Sequence, residues 1–154
     1  THLGSAYAKA ELAAGNLIPL NGTVFISVND NDKMKVIPIA RDFYELGYKI
    51  IATEGTYKLL NQNGIVCNMI SKVGESRPNV VDYIKNQDVQ FIINTPLGQK
   101  SRYDEYEIGK SAIRYKIPNT TTISGAQAAL RAIRRIKNNK MNYRSLQDIF
   151  NTSL

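Results

Sequence analysis

Lys49-Ile-Ile-Ala-Thr-Glu-Gly-Thr-Tyr-Lys58 is the stretch on which the fold turns. The apolar run from Tyr48 to Ala52 reads as a strand, and the pattern from Tyr57 to Asn61 reads as a short helix. Between them, Thr53-Glu54-Gly55-Thr56 sets two hydroxyls and a glycine at a strand-to-helix turn. A turn of that kind aims backbone N–H groups and hydroxyls at an anion, often a phosphate.

The same alternation extends outward on both sides. Upstream, Thr23 to Val28 is a β-branched apolar run that predicts the first strand. Asn29-Asp30-Asn31-Asp32 is a cluster of turn and cap residues. Met34, Ile37, Ala40, Phe43 and Tyr44 then recur on one helix face, with Pro38 in the early turns and Gly47 as the stop. Downstream, Asn63-Gly64 ends the short helix and Ile65 to Ile70 predicts a third strand. Ser71 to Pro78 is a polar loop before a helix through Val80, Val81 and Ile84. Gln90 to Ile93 predicts strand four, and the charged stretch Lys100 to Glu107 leads into a helix ending near Tyr115. Thr120 to Ile123 predicts a short fifth strand. Ser124-Gly125 opens a helix through Ile136, followed by a polar tail, Lys137 to Lys140, and a last short helix over Ser145 to Phe150. The order βαβαβαβαβα predicts an α/β fold, a parallel sheet with helices on both faces. Ahead of it, Ala6 to Ala14 reads as a short helix ended by Gly15-Asn16, and Leu17 to Asn21 as a linker. The expected division is therefore residues 1–20, the end of a preceding domain with its linker, and residues 21–154, one ligand-binding domain.

Composition narrows the chemistry. With 154 residues, 43% hydrophobic and 21% charged, the chain has the content of a globular domain. No apolar run reaches membrane-spanning length, and no basic-then-apolar start marks a signal peptide, so the expected location is the cytoplasm. The single Cys67 excludes an internal disulfide and a cysteine metal cluster, and its apolar setting predicts a buried thiol. His2 is the only histidine, which speaks against histidine catalysis and metal binding. The net charge of +7 suits an anionic partner. No aromatics alternate with the late cluster of Arg131, Arg134, Arg135, Lys137 and Lys140, so no nucleic-acid platform is expected.

In a parallel sheet, ligands bind beyond the carboxyl ends of the strands. The residues expected there include Lys33, Thr53, Thr56, Lys72, Asn94, Thr95 and Thr121. Two lysines, two threonines and helix N-termini describe a phosphate pocket, and Asn94 offers donor and acceptor to a sugar or base. Glu54 would face away from a bound phosphate. The rim carboxylates Glu54, Glu75, Asp104 and Glu105 form no pair and have no histidine or cysteine partner. Neither a Walker loop nor a G-x-G-x-x-G is present. The pattern favours binding over catalysis.

At these residues the chain resembles a known family. Phe25-Ile-Ser-Val28 before Asp32-Lys33, Ala52-Thr-Glu-Gly-Thr56, Asn68 to Val73 with Glu75-x-Arg77-Pro78, Ile92-Ile-Asn-Thr-Pro96 and Thr121-Thr-Ile-Ser-Gly125 occur in order. Together they resemble the C-terminal regulatory domain of the carbamoyl-phosphate synthetase large subunit, which has the methylglyoxal-synthase-like fold. The resemblance implies a five-stranded parallel sheet in the order 3-2-1-4-5 and a domain that performs no chemistry itself. It implies nucleotide effectors, UMP as inhibitor and IMP as activator. These tune carbamoyl phosphate synthesis from glutamine, bicarbonate and ATP, which serves pyrimidine and arginine biosynthesis.

The family's phosphate contacts carry over to Lys33, Thr53, Thr56 and Lys72, and its ribose or base contacts to Asn94 and Thr95. Thr121 matches an interdomain position that senses ornithine in some relatives. The implied partners are the synthetase domains of the same chain, a glutaminase small subunit and further large subunits. No cofactor is implied for this domain; ATP with Mg or Mn is implied for the parent enzyme. Pro96 stands where the family often has threonine, so a hydroxyl is lost there. The alternative is a methylglyoxal-synthase-like lyase acting on dihydroxyacetone phosphate. That relative uses two aspartates where this chain has Arg77 and Thr95. The histidine segment of the related IMP cyclohydrolase domain is also missing.

Overall fold

The structure is a computed structural model that describes residues 18–96, 98 and 102–151, with side chains to Lys140. The expected helix over Ala6 to Ala14 lies outside the described residues. Among the described residues, five strands alternate with five helices: β1 (Thr23–Ser27), α1 (Lys33–Glu45), β2 (Lys49–Ala52), α2 (Glu54–Gln62), β3 (Asn68–Met69), α3 (Val80–Lys85), β4 (Phe91–Asn94), α4 (Arg102–Arg114), β5 (Asn119–Thr120) and α5 (Ile123–Asn151). A 3-10 turn, Asp30–Asp32, runs directly into α1. The sheet is parallel throughout, in the order β3-β2-β1-β4-β5.

β1 is central because it is apolar on both faces. Val24 and Ile26 point into one core with Val36, Ile39, Phe43 and Leu60, and with Ala126, Ala129 and Ile133 of α5. Phe25 points into the other, with Ile51, Ile92, Val80, Ile84, Ile108 and Ala112. Alternate residues of one strand thus build two cores, the pattern expected when helices cover both faces. Ser27 ends the strand opposite Asn94, so two polar groups mark the carboxyl rim at its middle.

Several boundaries differ from the sequence reading. β3 is Asn68–Met69, not Ile65 to Ile70: it is an edge strand that pairs only with Ile51 and Ala52. Ile65 and Ile70 are still buried, as plugs on either side of it, while Cys67 is only partly buried. β5 stops at Thr120 instead of Ile123. There Thr120 Oγ1 donates to the Thr122 carbonyl, and Thr122 Oγ1 accepts the Gly125 N–H, so the chain is already turning into α5. α5 is one continuous helix through Asn151, because nothing after Gly125 is a glycine or proline that would break it. α2 begins at Glu54, a turn earlier than Tyr57, and this shift matters for the rim.

Candidate anion-binding site at the carboxyl rim

The first turn of α2 starts at the carboxyl end of β2, with Thr53 as the residue before it. A threonine there normally caps the helix with its hydroxyl. Here it does not: Thr53 Oγ1 donates instead to Ser27 Oγ, 3.0 Å away on β1. The first bond into the helix runs from Tyr57 N–H to the Thr53 carbonyl at 2.7 Å. The N–H groups of Glu54, Gly55 and Thr56 precede it and take no cap from Thr53. Thr56 is held down by the Val28 N–H, which donates to its Oγ1 at 3.3 Å. The exit of β1 and the start of α2 are therefore pinned together through two hydroxyls, and the positive end of α2 is left open.

Lys33 lies over that opening. A Cβ on Gly55 would stand 3.5 Å from Lys33 Nζ. Asp30 holds the ammonium at 2.5 Å, and this bond keeps the Asp30 carboxyl below the usual carboxylate range. Glu54 turns outward to Lys58 at 2.6 Å, as the sequence led us to expect, and that bond lowers its pKa. Lys72 closes the far side. Lys33, Thr53, Thr56 and Lys72, the four residues predicted to hold a phosphate, line one cavity of about 260 Å³ with Asn29, Asp30 and Gly55.

Thr53 and Lys72 also line a second, narrower cleft. Its walls are Phe25, Val73, Val80 and Ile108, and its polar groups are Ser27, Asn94, Asp104 and Glu105. Burial pushes the Asp104 carboxyl above its ordinary value, against the opposing pull of Lys72. A charged pocket thus adjoins a narrow, mainly apolar slot of about 20 Å³ with a few polar groups, room for about one water molecule. Asn94 is buried in the slot's wall.

Thr95 and Thr121 line neither cavity. Thr95 is buried, and its Oγ1 accepts the Asn29 N–H at 2.9 Å, which fixes the loop after β1. Thr121 is exposed between β5 and α5. Sequence reading gave no role to Ser27 or Asp104. The period of two from Phe25 to Ser27, and the helical spacing from Asp104 to Ile108, were the available signals. Arg77 is paired with Asp82. Among the described residues, no group of three histidine, cysteine or acidic side chains could hold a metal ion.

A larger cavity of about 390 Å³ lies near the opposite end of the sheet, lined by residues that include Pro19, Val89, Tyr115 and Pro118. It has one cation, Lys116, and none of the rim's convergent polar groups.

Comparison with known proteins agrees with the fold. The family model for the MGS-like domain matches residues 35–121. The chain is 46% identical over 94% of its length to the carbamoyl phosphate synthase large chain of Nostoc sp., and 49% identical over 94% to that of Archaeoglobus fulgidus. It is 45% identical over 95% of its length to the C-terminal section of the large chain from Methanopyrus kandleri. It spans 13%, 14% and 27% of those three proteins. The crystal structure of ForH superposes with a TM-score of 0.53 at 14% identity, over 74% of this chain and 80% of that one, which speaks to the fold alone. The sheet order and these matches lead to one conclusion: the chain belongs to the MGS-like domain family.

Proposed function

We propose that this chain is the effector-binding domain of a carbamoyl phosphate synthase large chain, and that its rim site binds a nucleoside monophosphate, UMP or IMP. The observation that carries the reading is the uncapped start of α2 beneath Lys33, with the Thr53 hydroxyl spent on Ser27. A phosphate seated there would take the open N–H groups and two ammonium groups together. Thr53 and Thr56 shape the floor. Asn94 and Asp104 stand in the wall of the adjoining slot, which has only about 20 Å³ and would have to widen for a sugar or base to reach them.

The site, so read, binds and breaks no bond: the two positions that match the lyase's aspartates are Arg77 and Thr95, neither of which has a carboxylate, and they are engaged by Asp82 and by the Asn29 N–H. In this reading the domain works from within a large polypeptide in the cytoplasm. That polypeptide's other domains, with ATP, a divalent metal and a glutaminase subunit, make carbamoyl phosphate.

Calorimetric titration of UMP and IMP into the protein tests this. Saturable binding of one nucleotide per chain is expected, with a higher melting temperature; a ligand at 100 times its Kd adds about 2.7 kcal/mol. Lys72→Ala should weaken binding by about tenfold or more, since a hydrogen bond to a charged group contributes about 1.5–3 kcal/mol. Absence of heat and of any melting shift with both nucleotides at millimolar concentration would sink the proposal. Methylglyoxal formation from dihydroxyacetone phosphate would overturn the assignment as a binder.

A further inference from the structure

α4 has two faces with different neighbours. Its inner face carries Ile108 and Ala112 into the core, and Asp104 and Ile108 line the slot beside the phosphate site. On the opposite side Tyr103, Tyr106, Lys110 and Ile113 recur at intervals of three and four, which makes one stripe. Tyr103 is 66% exposed, Tyr106 62% and Ile113 82%. The Lys110 ammonium lies 5.7 Å from the centre of the Tyr106 ring. Beside the stripe, a Cβ on Gly109 would meet nothing within 4 Å. A glycine inside a helix costs about 1 kcal/mol relative to alanine. Nothing packed around Gly109 requires it, but a bare backbone lets a second surface come close.

We propose that this outer face of α4 docks on the remainder of the parent polypeptide, against an apolar surface rimmed with carboxylates. The inference rests on the proposed placement within a synthase large chain. Two observations select that occupant over a second copy of this domain. The chain spans 13–14% of the full-length relatives, so most of such a polypeptide lies outside it. Lys110 lies within the stripe and Arg102 and Arg114 border it, against one carboxylate on that side, Glu107, on a chain of net charge +7. Two copies would bring like charges together, whereas an acidic rim complements them. Exposed tyrosines beside an aliphatic residue form the kind of patch that partner surfaces bury. One rigid helix would then touch the effector with its inner face and the synthetase body with its outer face. Each contact biases the position of the other, which is the coupling that effector control needs.

Thiol labelling of the full-length large chain tests this. Ile113→Cys and Tyr106→Cys are introduced separately, and maleimide uptake at each site is followed by peptide mass spectrometry. Each rate is referred to the same site in urea-unfolded chain. Labelling at least tenfold slower in the native chain, and unchanged on dilution, is expected at both positions. Smaller protection overturns the docking, and protection lost on dilution assigns the face to a second copy and overturns it equally. A second arm uses Ile113→Glu: the Kd for UMP or IMP should stay within twofold while their effect on carbamoyl phosphate synthesis falls at least fivefold. An unchanged effect overturns the coupling. Should the wild-type chain bind neither nucleotide, the rim reading fails while the labelling arm still decides the docking.

Discussion

Gly125 shows how a single atom is accounted for at the residue scale. A Cβ there would stand 2.5 Å from Thr120 Oγ1 and 3.0 Å from Thr122 Oγ1. Thr120 is buried and its hydroxyl is bonded to the Thr122 carbonyl, so it cannot swing away without losing that bond. Gly125→Ala should therefore destabilise the protein by about 1–3 kcal/mol, the range for overpacking. Urea titration measures it, and adding Thr120→Ala to the variant should recover part of the loss. The sequence named the Ser124-Gly125 pair as a helix opening but not the reason for it. That reason is a contact between β5 and α5 that periodicity does not encode. Lys33, Thr53, Thr56 and Lys72 were legible one by one as residues after strands. What was not legible was that the Thr53 hydroxyl would bond Ser27 across the sheet instead of capping its own helix.

Among the elements, α1 carries the most visible local conflict. Pro38 sits within Lys33–Glu45, beyond the first turn, where it removes a backbone donor and crowds the Met34 carbonyl. The helix persists because Val36, Ile39, Ala40 and Phe43 bury its other side, which is tertiary packing overriding local preference. Pro38 itself is exposed. Pro38→Ala should stabilise the fold by about 2 kcal/mol, from about 3 kcal/mol of helix propensity less about 1 kcal/mol of restriction lost from the unfolded chain. Denaturant unfolding with an unchanged slope would check it. Long periodic segments such as α1 and the central strands were legible from the sequence. The presence of β3 and β5 was legible but their bounds were not, because the length of an edge strand is set by its neighbour's backbone and not by its own side chains.

For the molecule as a whole, Tyr48 links the segment before β1 to α5. Its hydroxyl donates to the Pro19 carbonyl at 2.7 Å, its ring meets Phe43 edge-on at 5.2 Å, and the Lys137 ammonium lies 5.0 Å from its centre. Burial pushes its pKa up to about 12 from 10.0. Between those values the unfolded chain loses the proton first, so stability should fall as pH rises from 10 to 12 and be unaffected by this group below 10. Tyr48→Phe should be less stable at neutral pH by about 1 kcal/mol, the worth of the lost bond, and the gap should narrow across that window. Thermal melts of both proteins from pH 7 to 12 provide the comparison. Lys137 also donates to the Leu46 carbonyl at 3.0 Å, and among the α5 residues described with side chains, to Lys140, the last deeply buried one is Ile133. From Lys137 to Asn151 the helix continues for about 21 Å at 1.5 Å per residue. It is a lever: a tilt of about 10° at Lys137 would swing its far end through about 4 Å, turning a small rotation at the base into a displacement larger than a hydrogen bond is long.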